Sequence, residues 1–338
     1  MKRFLFLILG FVFISALGTA CAVIYLSKIV NAPLSIQSES LFVIEPGSNA
    51  YRTVKQLRNQ AYSDIPPMVA KVWLKFFATD TSVKSGTYAL APGDSLVDVF
   101  TRFTKGEEHL FSVSLVEGLT LKQWLETLKA HNNIQFDIDD KTLRQTTNTN
   151  ADWCCQAIKH NEGLYLADTY FFTNNTKASA VLARAHEALI AFVDEQWQQR
   201  ALDLPINTPY EALILASIIE KETAVPEERS RIAGVFVNRL NSNMRLQTDP
   251  TVIYGIGDNF DGNITRKHLR TPTPYNTYVI KGLPPTPIAM AGKAAIKAAL
   301  QPLETDEVYF VAKGDGSHQF STTLEAHNAA VRKYQLKR

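Results

Sequence analysis

Cysteine is scarce in this 338-residue chain, and neither sign of charge dominates it. Three cysteines are too few for a disulfide framework. Cys21 lies inside an apolar run, and Cys154 and Cys155 are adjacent, so a bridge between them would have to close across one peptide bond. No histidine or second cysteine pair stands at zinc-ligand spacing; Cys154 and Cys155 therefore read as packing residues, and no metal site is expected. The 35 basic and 33 acidic side chains leave a net charge of +2. That balance removes the global field that would draw the chain to nucleic acid or to an anionic surface, so nucleic acid is not expected as a partner. What remains is ordinary globular composition, 46% hydrophobic and 20% charged, in a length that suits about two domains.

Long apolar runs are rare too, with one exception. From Phe4 to Leu26 there is no charged side chain. At about 1.5 Å per residue that run crosses a hydrocarbon core of about 30 Å. Lys2 and Arg3 precede it and Lys28 follows. The positive-inside tendency keeps the short N-terminal tip in the cytoplasm and sends the body across the membrane. Two competitors share that compartment: a cleaved signal peptide using the small residues between Ala16 and Cys21, and a lipid-modified Cys21. The run continues past Cys21, longer than an ordinary signal core, which favours an uncleaved anchor.

Beyond the anchor the expected class is α+β. In LFVIEPGSNAYRTVKQLRNQ, a strand at Leu41–Ile44 meets the Pro46-Gly47 turn, and Ser48 is placed to cap a helix. SGTYALAPGDSLVDVFTRFTKG repeats the pattern, with Tyr88–Leu90 as strand and Ser95 as cap. FSVSLVEGLTLKQWLETL repeats it more weakly, with Thr120 as cap. Small glycan-binding modules of the LysM kind are built from such units, and a loose LysM likeness is expected here. The predicted organisation is residues 1–30 as tip and anchor, 31–110 as a LysM-like α+β region, and 111–338 as a larger α+β catalytic domain.

NTPYEALILASIIEKETAVPEERSRIAGVFVNRL carries two helices. Thr208 caps the first, Pro209 occupies its first position and Glu211 completes a capping box. Ala212–Ile219 is apolar on every face, so this helix is expected to be buried. Glu220 ends it on a face shared with Leu213, Ala216 and Ser217, where small residues leave room for a ligand. Glu222 lies about 200° further round. A carboxyl against an apolar helix in a half-dry cleft is harder to ionise, which suits it to donating a proton at neutral pH. Glu220 is therefore expected as the catalytic acid. A solvated charge cluster at Glu220-Lys221-Glu222 is the plainer alternative. RLQTDPTVIYGIG has the composition of a binding loop, and TPYNTYVIKGLPPTPIAM reads as a stiff loop with stacking and hydrogen-bonding faces, surfaces of the kind sugars use.

EGLYLADTYFF, ASIIEKETAVPEER, VFVNRL, MRLQTDPTVIYG, TPYNTY, GLPPTPI and FSTTLEAHN together resemble the endolytic murein transglycosylases of the MltG or YceG-like family, from about Glu162 to Asn328. Ala167 stands where that pattern has proline. The resemblance implies non-hydrolytic cleavage of nascent peptidoglycan between N-acetylmuramic acid and N-acetylglucosamine, leaving 1,6-anhydro ends, with no cofactor. It also implies a single-pass protein of the inner membrane with a periplasmic catalytic domain, coupled to peptidoglycan synthases and ending glycan polymerisation. The resemblance places the catalytic acid in the Ile-Ile-Glu-Lys-Glu run without choosing between Glu220 and Glu222; the helical-face argument chooses Glu220. Gln247, Thr248, Asp249, Tyr275 and Asn276 are the expected sugar-orienting residues, and Ser321, Thr323 and Asn328 are expected to close one wall. A muramidase using Asp249 as second carboxylate and a non-catalytic glycan-binding scaffold remain open at this point.

Overall fold

The computed structural model describes residues 2–147, 153 and 160–336. Cys154 and Cys155 lie outside the described residues. Contacts divide the chain into two compact units, Met1–Phe111 and Ser112–Arg338.

The first unit opens with α1 (Lys2–Val30), the helix long and apolar enough to cross a membrane. Only its last turns enter the unit's core, through Leu26 and Val30. There follow β1 (Ser40–Ile44), α2 (Ala50–Asn59), α3 (Pro67–Phe76), β2 (Gly86–Leu90) and α4 (Leu96–Lys105). β1 and β2 pair antiparallel, Ser40 opposite Leu90 and Ile44 opposite Gly86. Alternation along β1 buries Phe42 and Ile44 beneath the pair. Phe42 stacks on Phe103 of α4 at 5.5 Å, and Tyr88 meets the same ring edge-on at 4.8 Å. Ser95 and Asp98 form the reciprocal cap that starts α4. At α2 the cap is Asn49, which accepts the Arg52 amide at 2.9 Å, and not Ser48. The reason is turn length: Ser48 still belongs to the Pro46-Gly47 turn, with its amide on the Glu45 carbonyl.

The second unit contains β3 (Phe111–Leu115), α5 (Leu121–Ala130), β4 (Ile134–Gln135), α6 (Asp140–Gln145), β5 (Asp168–Phe172), β6 (Thr176–Lys177) and α7 (Ala178–Gln198). It continues with α8 (Pro209–Glu222), a 3-10 turn at Pro226–Glu228, α9 (Arg229–Asn241), α10 (Asp249–Ile256), α11 (Arg266–Arg270), α12 (Lys293–Leu300), β7 (Tyr309–Ala312), β8 (His318–Ser321) and α13 (Leu324–Tyr334). Its strands pair two by two, β3 with β5, β4 with β6 and β7 with β8. The chain is thus a mixed helix-and-strand protein with one N-terminal apolar helix, as its patterning predicts.

α8 is the axis of this unit. Thr208 caps it by accepting the Glu211 amide at 3.2 Å, while the Glu211 carboxylate returns to the Asn207 amide, one residue short of a full capping box. Every residue from Ala212 to Ile219 is buried, against α7, α9 and α12. The run expected as a binding loop changes character half-way: it is irregular up to Thr248, then Asp249 and Pro250 start α10. An acid and a proline in the first turn are helix-start signals that the loop reading underweighted.

Gly234 lets α9 lie against the backbone that follows α12, because a β-carbon there would fall 2.4 Å from the Leu303 carbonyl oxygen. Gly234→Ala is therefore expected to cost about 1–3 kcal/mol through overpacking. A thermal melt of the variant that matches the wild type would refute this close approach.

Candidate active site

The two acids at the end of α8 have different surroundings. Glu220 is enclosed, its side chain only 5% exposed. It accepts the Gly292 amide at 2.9 Å, and the Arg229 guanidinium lies 3.6 Å away. The neighbouring Lys221 ammonium donates to the Gly118 carbonyl at 3.1 Å. Ala216 and Ser217, on the same face, are fully buried, and the Ser217 hydroxyl accepts the Ile288 amide at 3.0 Å. At Ser217 the small side chain makes room for the backbone of Ile288.

Glu222, on the opposite face, lies in a cavity of about 550 Å³. Gln247 and Asp249 line one wall, Tyr309 and His318 of the β7–β8 hairpin a second, and His327 and Asn328 of α13 a third; Arg239, Tyr278 and several apolar side chains of the hairpin and α13 also line it. The Thr248 hydroxyl donates a very short hydrogen bond to the Glu222 carboxylate. Gln247 sits in a left-handed backbone conformation, φ +51°, that a residue with a side chain adopts only under constraint. The constraint is visible: the amides of Gln247 and Thr248 are held by the carbonyl and hydroxyl of Thr277, at 3.2 and 3.0 Å. Arg239 fastens two walls at once, donating to the Leu246 and Val308 carbonyls, each at 2.6 Å.

A family model described as YceG-like matches residues 42–333. The chain is 34% identical over 266 residues to the endolytic murein transglycosylase of Bacillus subtilis strain 168, covering 74% of this chain and 73% of that protein. It is 26% identical over 337 residues to the protein of the same name from Streptococcus pneumoniae strain D39, covering 87% of this chain but 60% of that longer relative. A crystal structure of a yceG-like protein from Listeria monocytogenes superposes with a TM-score of 0.53 at 28% identity, over 87% of this chain and 99% of that one.

The chain belongs to the YceG-like family.

Within this YceG-like site, three of the expected residues, Gln247, Asp249 and Asn328, line the Glu222 cavity, and Thr248 bonds the carboxylate itself. The others serve the frame. Asn276 is buried, donating to the His268 and Thr271 carbonyls at 3.0 and 2.8 Å. Tyr275 packs against the core and shares a 2.9 Å hydrogen bond with Thr286. Ser321 pairs within the hairpin, and Thr323 caps α13 by accepting the Ala326 amide at 3.2 Å. Arg239, Tyr278, His318 and His327 were not singled out from sequence, although each lies in or beside a motif that was: VFVNRL, TPYNTY and the terminal FSTTLEAHN. Only their side-chain direction was missing.

Burial pushes the Glu222 carboxyl above its ordinary value, and the negative Asp249 adds to this, while the Thr248 hydrogen bond and the charges of His318 and Arg239 oppose it. Burial also raises the Tyr278 phenol, which donates to Asp249 at 2.7 Å. His327 is shifted downward by burial and by the nearby Arg239 charge, so the cavity favours its neutral ring. Glu220 is raised as well, by burial first, against the Gly292 amide and Arg229.

A carboxyl whose folded value is raised favours folding fully below its unfolded value of about 4.3, and that contribution is lost as pH rises through the folded value. Glu222→Gln never ionises. Its melting temperature relative to wild type should therefore improve progressively as pH is raised from about 4 to about 8. A calorimetric difference that stays flat or shrinks over that window would contradict the burial argument.

Proposed function

We propose that this chain is an endolytic murein transglycosylase whose acid/base group is Glu222, not the Glu220 that the helical-face argument favoured. One observation carries the assignment: Glu222 shares its cavity with Gln247, Asp249 and Asn328, whereas the Glu220 carboxylate is occupied by the Gly292 amide and Arg229. The names and coverage of the Bacillus and Streptococcus relatives support the reaction class.

In the reaction, protonated Glu222 gives its proton to the glycosidic oxygen between N-acetylmuramic acid and N-acetylglucosamine, and the C1–O bond breaks. The resulting carboxylate takes the proton of the C6 hydroxyl of the same muramic residue, and O6 closes on C1. The product is a 1,6-anhydro end, the leaving sugar carries a new 4-hydroxyl, and Glu222 regains its proton. No water is consumed. One group whose dry surroundings keep both protonation states within reach near neutral pH can perform both halves. Gln247 and Asn328 offer amides to the sugar's hydroxyl and acetamido groups.

A hydrolytic reading draws on Asp249, a second carboxylate on the same cavity. It needs that group free to activate water, and Asp249 is engaged by the Tyr278 hydroxyl. Lysine and arginine at positions 2 and 3 support a reading of α1 as a single-pass inner-membrane anchor with its tip in the cytoplasm and the body in the periplasm. An enzyme so tethered meets strands near the membrane where they emerge, which supports coupling to synthases and termination of polymerisation. Absence of any synthase crosslink to the full-length chain in cells would remove that coupling. The order β1–α2–α3–β2 around one antiparallel pair supports a LysM-like glycan-binding module. Photoreactive glycan labelling confined to residues beyond 112 would count against it.

The decisive assay digests peptidoglycan with wild type, Glu222→Gln and Glu220→Gln. Glu222→Gln is expected to lose about 10²–10⁴-fold in rate, the usual worth of a positioned acid/base group. Glu220→Gln keeps an acceptor for the Gly292 amide and should stay within about tenfold of wild type. Mass spectrometry should find anhydro ends; reducing ends would establish hydrolysis instead, and equal loss in both variants would sink the choice of Glu222.

A further inference from the structure

α3 is apolar on two faces. Inward it buries Ala70 and Trp73. Outward, Met68, Val72 and Phe76 follow one another at a spacing of four and are 71%, 39% and 66% exposed, and Phe77 beyond the helix end is 45% exposed. The helix has no acidic residue, and its charged side chains are Lys71 and Lys75, both exposed. A helix with apolar side chains on two faces has a partner for each, in protein or in lipid, and among the described residues of this unit nothing covers the outer stripe.

The geometry around α1 says what does. A groove of about 660 Å³ is lined by Val23, Leu26 and Val30 of α1 together with Trp73, Phe77 and Phe100. Val23 and Leu26 belong to the uncharged run that crosses the bilayer on the reading above. Side chains that share a groove with them lie at the depth of the span's last turns, where hydrocarbon gives way to headgroups. Phe76 and Phe77 are therefore at that depth. Lys71 and Lys75 stand where long ammonium side chains can reach back to lipid phosphates, as can Lys28, two residues past the uncharged run. The Lys75 ammonium already folds over the Phe76 ring at 5.1 Å, extended along the helix surface. Asp80 is the acid on the groove's rim, and its carboxylate is taken by the Ser82 amide and hydroxyl.

We propose that α3 is an interfacial helix: Met68, Val72, Phe76 and Phe77 insert into the outer leaflet beside α1, and a phospholipid acyl chain fills the groove between α1, α3 and α4. The first unit is then seated on the bilayer at a fixed depth, and the tether has no free length at its membrane end. This rests on the reading of α1 as a membrane span.

The test uses the full-length chain with Cys21, Cys154 and Cys155 replaced by serine, reconstituted in vesicles of phosphatidylethanolamine and phosphatidylglycerol. A nitroxide is attached in turn through Ile14→Cys, Arg52→Cys, Met68→Cys and Phe76→Cys. Collision with oxygen, which concentrates in lipid, is compared with collision with a water-soluble nickel chelate. Labels at 14, 68 and 76 are expected to favour oxygen several-fold over the label at 52. If position 14 reads lipid while 68 and 76 read water, the anchor stands and the interfacial helix is overturned. If 68 and 76 are shielded from both reagents, a protein covers the stripe and the lipid assignment is overturned. If position 14 itself reads water, the anchor reading fails and takes this proposal with it.

Discussion

A carboxyl held at the end of a helix that has no wet face is the constraint on which the rest of this site depends. Ala212 to Ile219 are buried on every side, so the rigid core of the unit is α8 itself, and whatever follows Ile219 is delivered to a fixed place. Three residues on, at Glu222, the helix ends, and the chain turns away at Thr223. Glu222 is thus carried by the stiffest element available, while the residues that face it come from segments free to differ in shape: the Gln247 loop, the hairpin and α13. That division suits a group whose position must be held to within fractions of an ångström.

Glu220 and Glu222 show how one turn of helix can give like residues unlike surroundings. Both are pushed upward by burial. Around Glu220, however, the gaps are closed by glycine. A β-carbon at Gly292 would stand 3.3 Å from the Glu220 carboxylate and 3.4 Å from the Glu117 β-carbon, so even an alanine methyl would crowd the spot. The backbone can therefore approach and satisfy the acid. Met290 exchanges amide and carbonyl with Leu119 and Gly118, at 2.8 Å each, closing the same corner. Glu220 thereby joins α8 to the start of α12, and Lys221 joins it to the turn before α5.

Much of this was legible in the sequence, and the choice between Glu220 and Glu222 shows where legibility ends. Caps are local, since an oxygen needs an amide three residues on; Ser95, Thr120 and Thr208 were found because nothing distant decides them. The angular separation of Glu220 and Glu222 is equally local and was read correctly. Which of them meets the cavity is not. A one-sided helix announces its outer face, but α8 is apolar all round and carries no such sign. The choice was made instead by Gly292, about seventy residues downstream in the motif-dense stretch. Small neighbours at Ala216 and Ser217 were a fair hint of close approach, and the approaching group proved to be protein. In the same way TPYNTY marked a functional loop without saying that Tyr278 turns to the cavity and Asn276 to the loop's own carbonyls.

On the proposed assignment Glu222 must surrender its proton near neutral pH, which a full salt bridge would oppose, because a paired carboxylate stays ionised. Arg239 and His318 both line the Glu222 cavity, and each is engaged elsewhere. Arg239 is buried, spends its donors on the carbonyls of Arg245, Leu246 and Val308, and lies 5.5 Å over the Tyr309 ring. His318 gives its ring nitrogen and its amide to Glu228, at 2.7 and 2.9 Å. Their charges still act on Glu222 through space, but more weakly than burial acts against ionisation. The same bonds that keep these cations from Glu222 also build the walls of the cavity, for Arg239 joins the Gln247 loop to the hairpin and His318 joins the hairpin to the start of α9. Shape and protonation are set by one network, so a substitution that loosens the walls also frees a cation to ionise the acid they enclose.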